Sequence, residues 1–256
     1  MATKLAKNWL LLRGLARESG HWGEFVPLLQ NTFPDATINL LDLPGTGKFY
    51  QQPSPQSINA ITDHVRNVAL AQGILQQPVT LLAISLGAMV AWDWLQRYPQ
   101  DLCAASLMNT SFANLSPFYQ RLRWQSYPQF ISLLLSRNSL QREAAILQLV
   151  SNRYPNDPRI SRAWADIYNQ QPMPISNSLN QIIAAARYQP EQHKPQQPVL
   201  LLNGLGDKLV SPQCSTAIQQ HWQLALRSHP TAGHDLTLDE GEWVAAQLHE
   251  WLGKQI

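Results

Sequence analysis

A chain of 256 residues with 45% hydrophobic content can bury a sizeable core and has the length of one α/β domain carrying an insertion. Its 19 basic and 17 acidic residues give a formal charge of +2 and are scattered along the chain, which excludes the basic footprint of a nucleic-acid-binding surface. No apolar stretch approaches the ~18 residues of a membrane span. The run behind the N-terminal lysines is too short for a signal-peptide core, so the expectation is a soluble, cytoplasmic protein.

Asn8 to Arg13 is an apolar run of strand length, followed by a loop of small and polar residues from Gly14 to Gly20. Trp22, Phe25, Val26 and Leu29 then recur at helical spacing, with Ser19 as the expected cap and Pro27 as a local irregularity. Ala36 to Leu41 reads as the second strand, and Asp42 to Gly47 as a turn in which Gly45 and Gly47 permit unusual backbone angles. A helix follows from Ser57 to Leu75, and Pro78 leads into a strand beginning at Val79. From Leu86 the apolar positions Met89, Val90, Trp92 and Leu95 switch to helical spacing, which Pro99 ends. One polar residue, Ser85, therefore sits at a strand-to-helix corner. The small residues Ala83 and Gly87 stand two places before and after it.

Ala104 to Met108 is a fourth strand, and strands alternating with helices at this rhythm predict parallel pairing by right-handed crossovers. The rhythm breaks from Phe112 to about Gln197, where only helix-like segments occur, at Leu115 to Trp124, Phe130 to Leu135, Leu140 to Val150, Ile160 to Tyr168 and Ile175 to Tyr188. Alternation resumes with a strand at Val199 to Asn203, a helix near Cys214 to Trp222, a weak strand at Leu224 to Arg227 and a helix from Glu242 to Leu252. The expected fold class is α/β, a mostly parallel, doubly wound sheet of about six strands. Residues 1–111 and 198–256 form its core and residues 112–197 a helical insertion. Cys103 and Cys214, the only cysteines, are far apart and in no metal-ligand spacing, and read as two reduced core thiols.

The corner at Ser85 resembles the nucleophile elbow of the α/β-hydrolase family, although Ala83 stands where that motif usually has Gly. In that family the chain order is Ser, then Asp or Glu, then His, and later loops here match it. The strand from Val199 is followed by Gly204-Leu205-Gly206-Asp207, and the last strand by Gly233-His234. The resemblance assigns Ser85 as nucleophile, His234 as general base and Asp207 as the acid that orients it. It assigns the oxyanion hole to the backbone N–H groups of Leu86 and Leu15, with Arg13 in place of the usual His. The Asp42 to Gly47 turn matches another family turn and is read as scaffold. The helical insertion resembles the cap of the smaller capped esterases, including pimeloyl-ester carboxylesterases. These implications describe a serine hydrolase without cofactor or metal, acting on a small or medium carboxylic ester with an apolar acyl part.

Each residue also has a plainer reading. Ser85 is a good helix cap, Asp207 a turn former, and His234 a structural histidine. Arg13 reads as an ion-pair partner in preference to an anion reader. Asp235 and Asp239 read as surface residues, and His21 as a solvated loop residue that lies near enough to Leu15 to touch substrate. Trp124 is placed with Phe118, Tyr119, Tyr127 and Phe130 as a candidate pocket aromatic, although aromatics at helical spacing usually serve packing. Two other functions use the same fold: a lyase or carbon–carbon bond hydrolase with a similar triad, and a small-ligand binding module with little turnover.

Overall fold

All six expected strands form in the computed structural model, which describes residues 7–128, 133, 136 and 138–254. They are β1 (Asn8–Leu12), β2 (Thr37–Leu41), β3 (Val79–Ile84), β4 (Leu102–Met108), β5 (Val199–Gly204) and β6 (Ala225–His229). All pair in parallel, in the order β2-β1-β3-β4-β5-β6. Side-chain alternation divides the core between two faces. Leu10, Leu12, Leu81, Ala83, Leu107 and Leu201 pack under the helices α2 (Ile58–Ala71), α3 (Leu86–Arg97) and α8 (Pro212–Trp222). Trp9, Leu11, Leu82, Ile84, Met108 and Leu200 pack under α1 (Phe25–Thr32) and α9 (Leu236–Gly253). Covered on both faces, β3 is buried along its whole length, as its unbroken apolar run requires.

Between β4 and β5 the described chain forms α4 (Phe118–Arg121), α5 (Ser139–Val150), α6 (Pro158–Gln170) and α7 (Ile175–Arg187), with no strand among the described residues. The expected helix from Leu115 to Trp124 shortens to the single turn of α4 and a 3-10 turn at Trp124–Ser126. The expected segment Phe130 to Leu135 lies, Leu133 apart, outside the described residues.

Three further differences have local causes. The helix expected through Trp22 and Leu29 is a 3-10 turn, Ser19–Trp22, and then α1, separated at Gly23, whose φ is +46°. Pro27 falls in the first turn of α1, where a missing N–H removes no intrahelical bond. Ser19 does not cap that helix; its N–H and hydroxyl both donate to Asp42 Oδ1 at 2.6 Å. The last helix begins at Leu236, not near Glu242, because Asp235 caps it by accepting from the Leu238 N–H at 3.2 Å. Cys103 and Cys214 form no disulfide, and only Cys214 is a core thiol; Cys103 is half-buried. No helix among the described residues is long and apolar enough to cross a membrane.

The register fixes what meets at the C-terminal end of the sheet. Leu12 pairs with Ala83, and Ile84 with Met108, so the loops after β1 and β4 both arrive beside Ser85. The loops after β5 and β6 follow from the pairing of Gly204 with His229.

Candidate active site

Ser85 occupies φ +56°, ψ −117°, a conformation that a residue with a Cβ adopts at a cost of about 1–3 kcal/mol. The surroundings hold it there. Its N–H donates to the Met108 carbonyl at 2.8 Å, and its carbonyl accepts from the Thr110 hydroxyl at 3.0 Å and from the α3 N–H groups of Ala88 and Met89. The turn also needs its small neighbour. A Cβ on Gly87 would lie 2.4 Å from the Arg13 carbonyl oxygen and 2.7 Å from that of Leu12. Gly14 approaches the serine itself, with a Cβ there 3.1 Å from Ser85 Cβ. Ala83, by contrast, is an ordinary core residue whose methyl is fully buried.

His234 and Asp207 are brought together from the loops after β6 and β5. His234 Nδ1 lies 2.7 Å from Asp207 Oδ2, with both side chains buried. A carboxylate only accepts, so the proton of this bond belongs to Nδ1 and Nε2 is left as the basic nitrogen. The other carboxylate oxygen, Oδ1, accepts from the N–H groups of Leu209 at 2.7 Å and Val210 at 2.9 Å, so the carboxylate cannot rotate freely. The Asp207 carbonyl accepts from Arg123 Nη1 at 2.7 Å. Ser85 Oγ makes no hydrogen bond to His234 among the described residues, an arrangement common in unliganded hydrolytic sites.

Ser85 and His234 line one cavity of about 560 Å³ between the sheet edge and the helices that follow β4. Leu15 and Leu86, the expected oxyanion donors, line it as well, and so does Arg13. Most of the remaining wall is apolar, including Met89, Leu122, Ile146 and Ile182. Two expected pocket residues lie elsewhere. Trp124 is 64% exposed and outside the cavity, on a 3-10 turn whose buried side chain is Ser126. His21 is neither solvated nor in the cavity; it is buried against Trp164, with Nε2 2.8 Å from Arg17 Nη1. Burial and the neighbouring guanidiniums of Arg17 and Arg13 hold its pKa well below the usual histidine value.

Arg13 is an ion-pair partner, and its partner corrects another expectation. Asp235, read as a surface residue, is buried and bonded through both oxygens to the Arg13 guanidinium, which also lies over the Trp22 ring. Burial acts to raise the Asp235 carboxyl, but the Arg13 charge and hydrogen bonds outweigh it and the pKa is lowered. Asp239 is buried too. Its oxygens accept from the Ser151 hydroxyl at 2.5 Å, the Asn152 N–H at 2.9 Å and the Gly233 N–H at 2.7 Å. The Asp235 N–H donates to the Val150 carbonyl at 2.8 Å. These bonds tie the end of α5 to the loop that carries His234.

Four site residues escape the sequence reading. Asn109, at the end of β4, marks only the absence of an acid in sequence; in the structure its amide holds the His234 loop. Arg17, Arg121 and Arg142 also line the cavity. Arg142 and Glu143 are adjacent on α5, but no motif links them to Arg17 in the loop after β1.

Comparison with known proteins bears on the fold. The profile of the alpha/beta hydrolase fold family matches residues 10–241. No curated protein matches in sequence. Among solved structures, a thermophilic esterase from Thermogutta terrifontis is similar with a TM-score of 0.74 at 18% identity, covering 98% of this chain and 91% of that one. The enol-lactonase from Burkholderia xenovorans LB400 is similar with a TM-score of 0.77 at 15% identity, covering 96% and 92%. An esterase from Rhodococcus sp. ECU1013 gives 0.75 at 16% identity, covering 97% and 91%. At these identities the neighbours speak for the fold alone. With the profile spanning nearly the whole chain and a parallel sheet that ends in a strained serine corner, the protein belongs to the α/β-hydrolase fold family.

Proposed function

We propose that the protein is a serine hydrolase that cleaves a carboxylic ester through an acyl-enzyme. The observation that carries this is the meeting, in one cavity, of a serine at φ +56° and a histidine whose Nδ1 is bonded to a buried aspartate at 2.7 Å. Ser85 Oγ attacks the ester carbonyl while His234 Nε2 takes its proton. Asp207 keeps the imidazole in the tautomer with a basic Nε2 and stabilises the imidazolium that forms. The Leu15 and Leu86 N–H groups receive the oxyanion, a role in which one donor is worth about 3 kcal/mol of transition-state stabilisation. His234 then protonates the leaving alcohol, and water, activated by the same nitrogen, releases the acid and regenerates Ser85. Residues 112–197 act as the cap, and the apolar wall receives the hydrocarbon part of the acyl group.

A fluorophosphonate probe tests the reading. Covalent labelling at Ser85, abolished in Ser85→Ala and strongly slowed in His234→Ala, is expected; a folded wild-type protein that carries no adduct on Ser85 overturns it.

A further inference from the structure

The loop after β1 contains an unusual turn. The Arg17 N–H donates to the Gly14 carbonyl at 3.2 Å, which closes a β-turn with Leu15 and Ala16 at its centre. Ala16 has φ +53° and Leu15 is not among the residues of positive φ, the pattern of a type II turn. Glycine is the residue this position favours, and an alanine stays there only where its surroundings fix it. The Leu15 N–H has no hydrogen-bond partner among the described residues, so it is free to serve an atom in the cavity. The turn starts at Gly14, where an added Cβ would lie 3.1 Å from Ser85 Cβ, so its position is set directly against the serine.

The group that fixes Ala16 comes from α7. Gln181, fully buried on that helix, accepts from the Ala16 N–H at 3.0 Å and donates from Nε2 to the Pro44 carbonyl at 3.3 Å. One amide thereby spans the loops that leave the paired strands β1 and β2. The helix that delivers it is itself held at both ends. Four residues earlier, on the same face, Asn177 donates to the carbonyls of Gly45, Tyr50 and Gln52 and accepts from the Ser54 N–H. Near the other end, Arg121 donates to the carbonyls of Ala185 and Ala186. Arg17 Nη1 also donates to Glu143 Oε2 on α5. That bond restrains a side chain, whereas the Gln181 bond fixes the peptide joining Leu15 to Ala16. Type I and type II turns differ by a flip of this central peptide, so the group that accepts from its N–H selects between them. Without the acceptor, Leu15 loses its single fixed orientation.

We propose that Gln181 is a positioning residue for the oxyanion hole: its amide holds the turn after β1 in the form that presents the Leu15 N–H beside Ser85. The kinetic arm of the test rests on Ser85 and Leu15 acting as proposed above; the exchange arm does not.

The kinetic arm uses Gln181→Met, which keeps the side-chain length and removes both bonds, with 4-nitrophenyl butyrate as substrate. We expect kcat to fall by about 10- to 100-fold, less than the about 10²- to 10³-fold that outright loss of an oxyanion donor costs, with KM changed by no more than about twofold. Affinity for butylboronic acid, whose tetrahedral Ser85 adduct places an oxygen in the hole, should fall by a similar factor. The pH midpoint of kcat should stay in place, because His234 is untouched. Adding Ala16→Gly to Gln181→Met should restore kcat by at least about threefold, since glycine adopts positive φ without an anchor. An amide that served only to dock α7 would give no such rescue. Should Gln181→Met not fold, Gln181→Asn, which withdraws the amide by one methylene, is read in the same way. An unchanged kcat in the folded variant, or a loss confined to KM, overturns the proposal.

The exchange arm follows amide hydrogen exchange in Ser85→Ala protein. The Arg17 N–H, which closes the turn, should exchange at least about tenfold faster when Gln181→Met is added, while the amides of β1 keep their rates. Unchanged exchange at Arg17 overturns the proposal. A wild-type protein with no turnover and no Ser85 adduct refutes the serine-hydrolase reading, and the exchange arm then decides the role of Gln181 in the turn.

Discussion

The side chain of Asn109 donates to the backbone carbonyl of His234 at 2.8 Å, from a residue at the end of β4 to the loop after β6. The same amide donates to the Gly233 carbonyl at 3.2 Å and accepts from the Gly204 N–H at 3.1 Å. One side chain thus sets the base loop against the loop that begins the run to Asp207. Its own φ of +48° is a region that Asn tolerates and most residues avoid. Asn109→Gly keeps the backbone accessible and removes all three bonds. Labelling of Ser85 by a fluorophosphonate should slow by about 10²-fold, the scale of a misplaced catalytic group. Stability should fall by about 1–3 kcal/mol. A role confined to stability would leave the labelling rate unchanged well below the melting temperature.

Two glycine substitutions separate steric need from helix propensity. Gly87→Ala places a methyl against the backbone oxygens of Arg13 and Leu12, which no side-chain rotation relieves. We expect loss of Ser85 labelling with a melting temperature lowered by several degrees, corresponding to about 2–4 kcal/mol. Gly253→Ala, where a new Cβ meets nothing within 4 Å, should leave labelling intact and shift stability by no more than about 1 kcal/mol, in the stabilising direction.

Removing one half of the Arg13–Asp235 pair should be far worse than changing both. Arg13→Leu leaves a buried carboxylate without its cation, and a loss of about 3–5 kcal/mol is expected in urea unfolding. Adding Asp235→Asn should recover much of it, because the amide oxygen can still cap α9 at Leu238. The pH dependence has a definite sign. The Asp235 pKa is lowered on folding, so its contribution is fully present above the unfolded value of about 3.9 and is lost as pH falls through the folded value. The acid-side slope of stability should flatten in the double variant.

Glu18 should give the opposite slope. Burial, reinforced by the Asp42 charge, pushes its carboxyl up to about 7 from an ordinary value of 4.5. Between those two values the unfolded chain has released the proton while the folded protein still holds it. Stability therefore declines as pH rises across that window and levels off above it. Glu18→Gln should remove this decline, so the gain in denaturation midpoint over wild type should be larger at pH 8 than at pH 5.

Much of the sheet was legible because β3, β4 and β5 are short apolar runs bounded by turn residues, and because the switch from strand to helical spacing falls at Ser85. Asp207 and His234 were legible through their position after successive strands, which also predicts that they meet. Burial of polar side chains was not. Asp235 and Asp239 follow a Gly-His pair in a loop-like stretch, and nothing local reveals that Arg13, more than 200 positions earlier, neutralises one of them. Trp124 failed for the converse reason, since an aromatic in a short segment gives no sign of which face its turn presents. The partition of the described cavity arginines Arg13, Arg17, Arg121 and Arg142 among their partners is likewise a product of long-range assembly, and no spacing rule contains it.

The bonds from Ser151, Asn152 and Val150 to Asp239, Gly233 and Asp235 bear on how this fold can be rearranged. They make the end of α5 a buttress for the loop that carries His234, so the stretch between β4 and β5 is not a detachable module laid over a finished sheet core. An exchange of that stretch with a relative's would disturb the His234 loop as well, unless positions 150–152 and 233–239 travel as one unit. In this family member the chain between β4 and β5 and the loop that carries His234 are held as one piece.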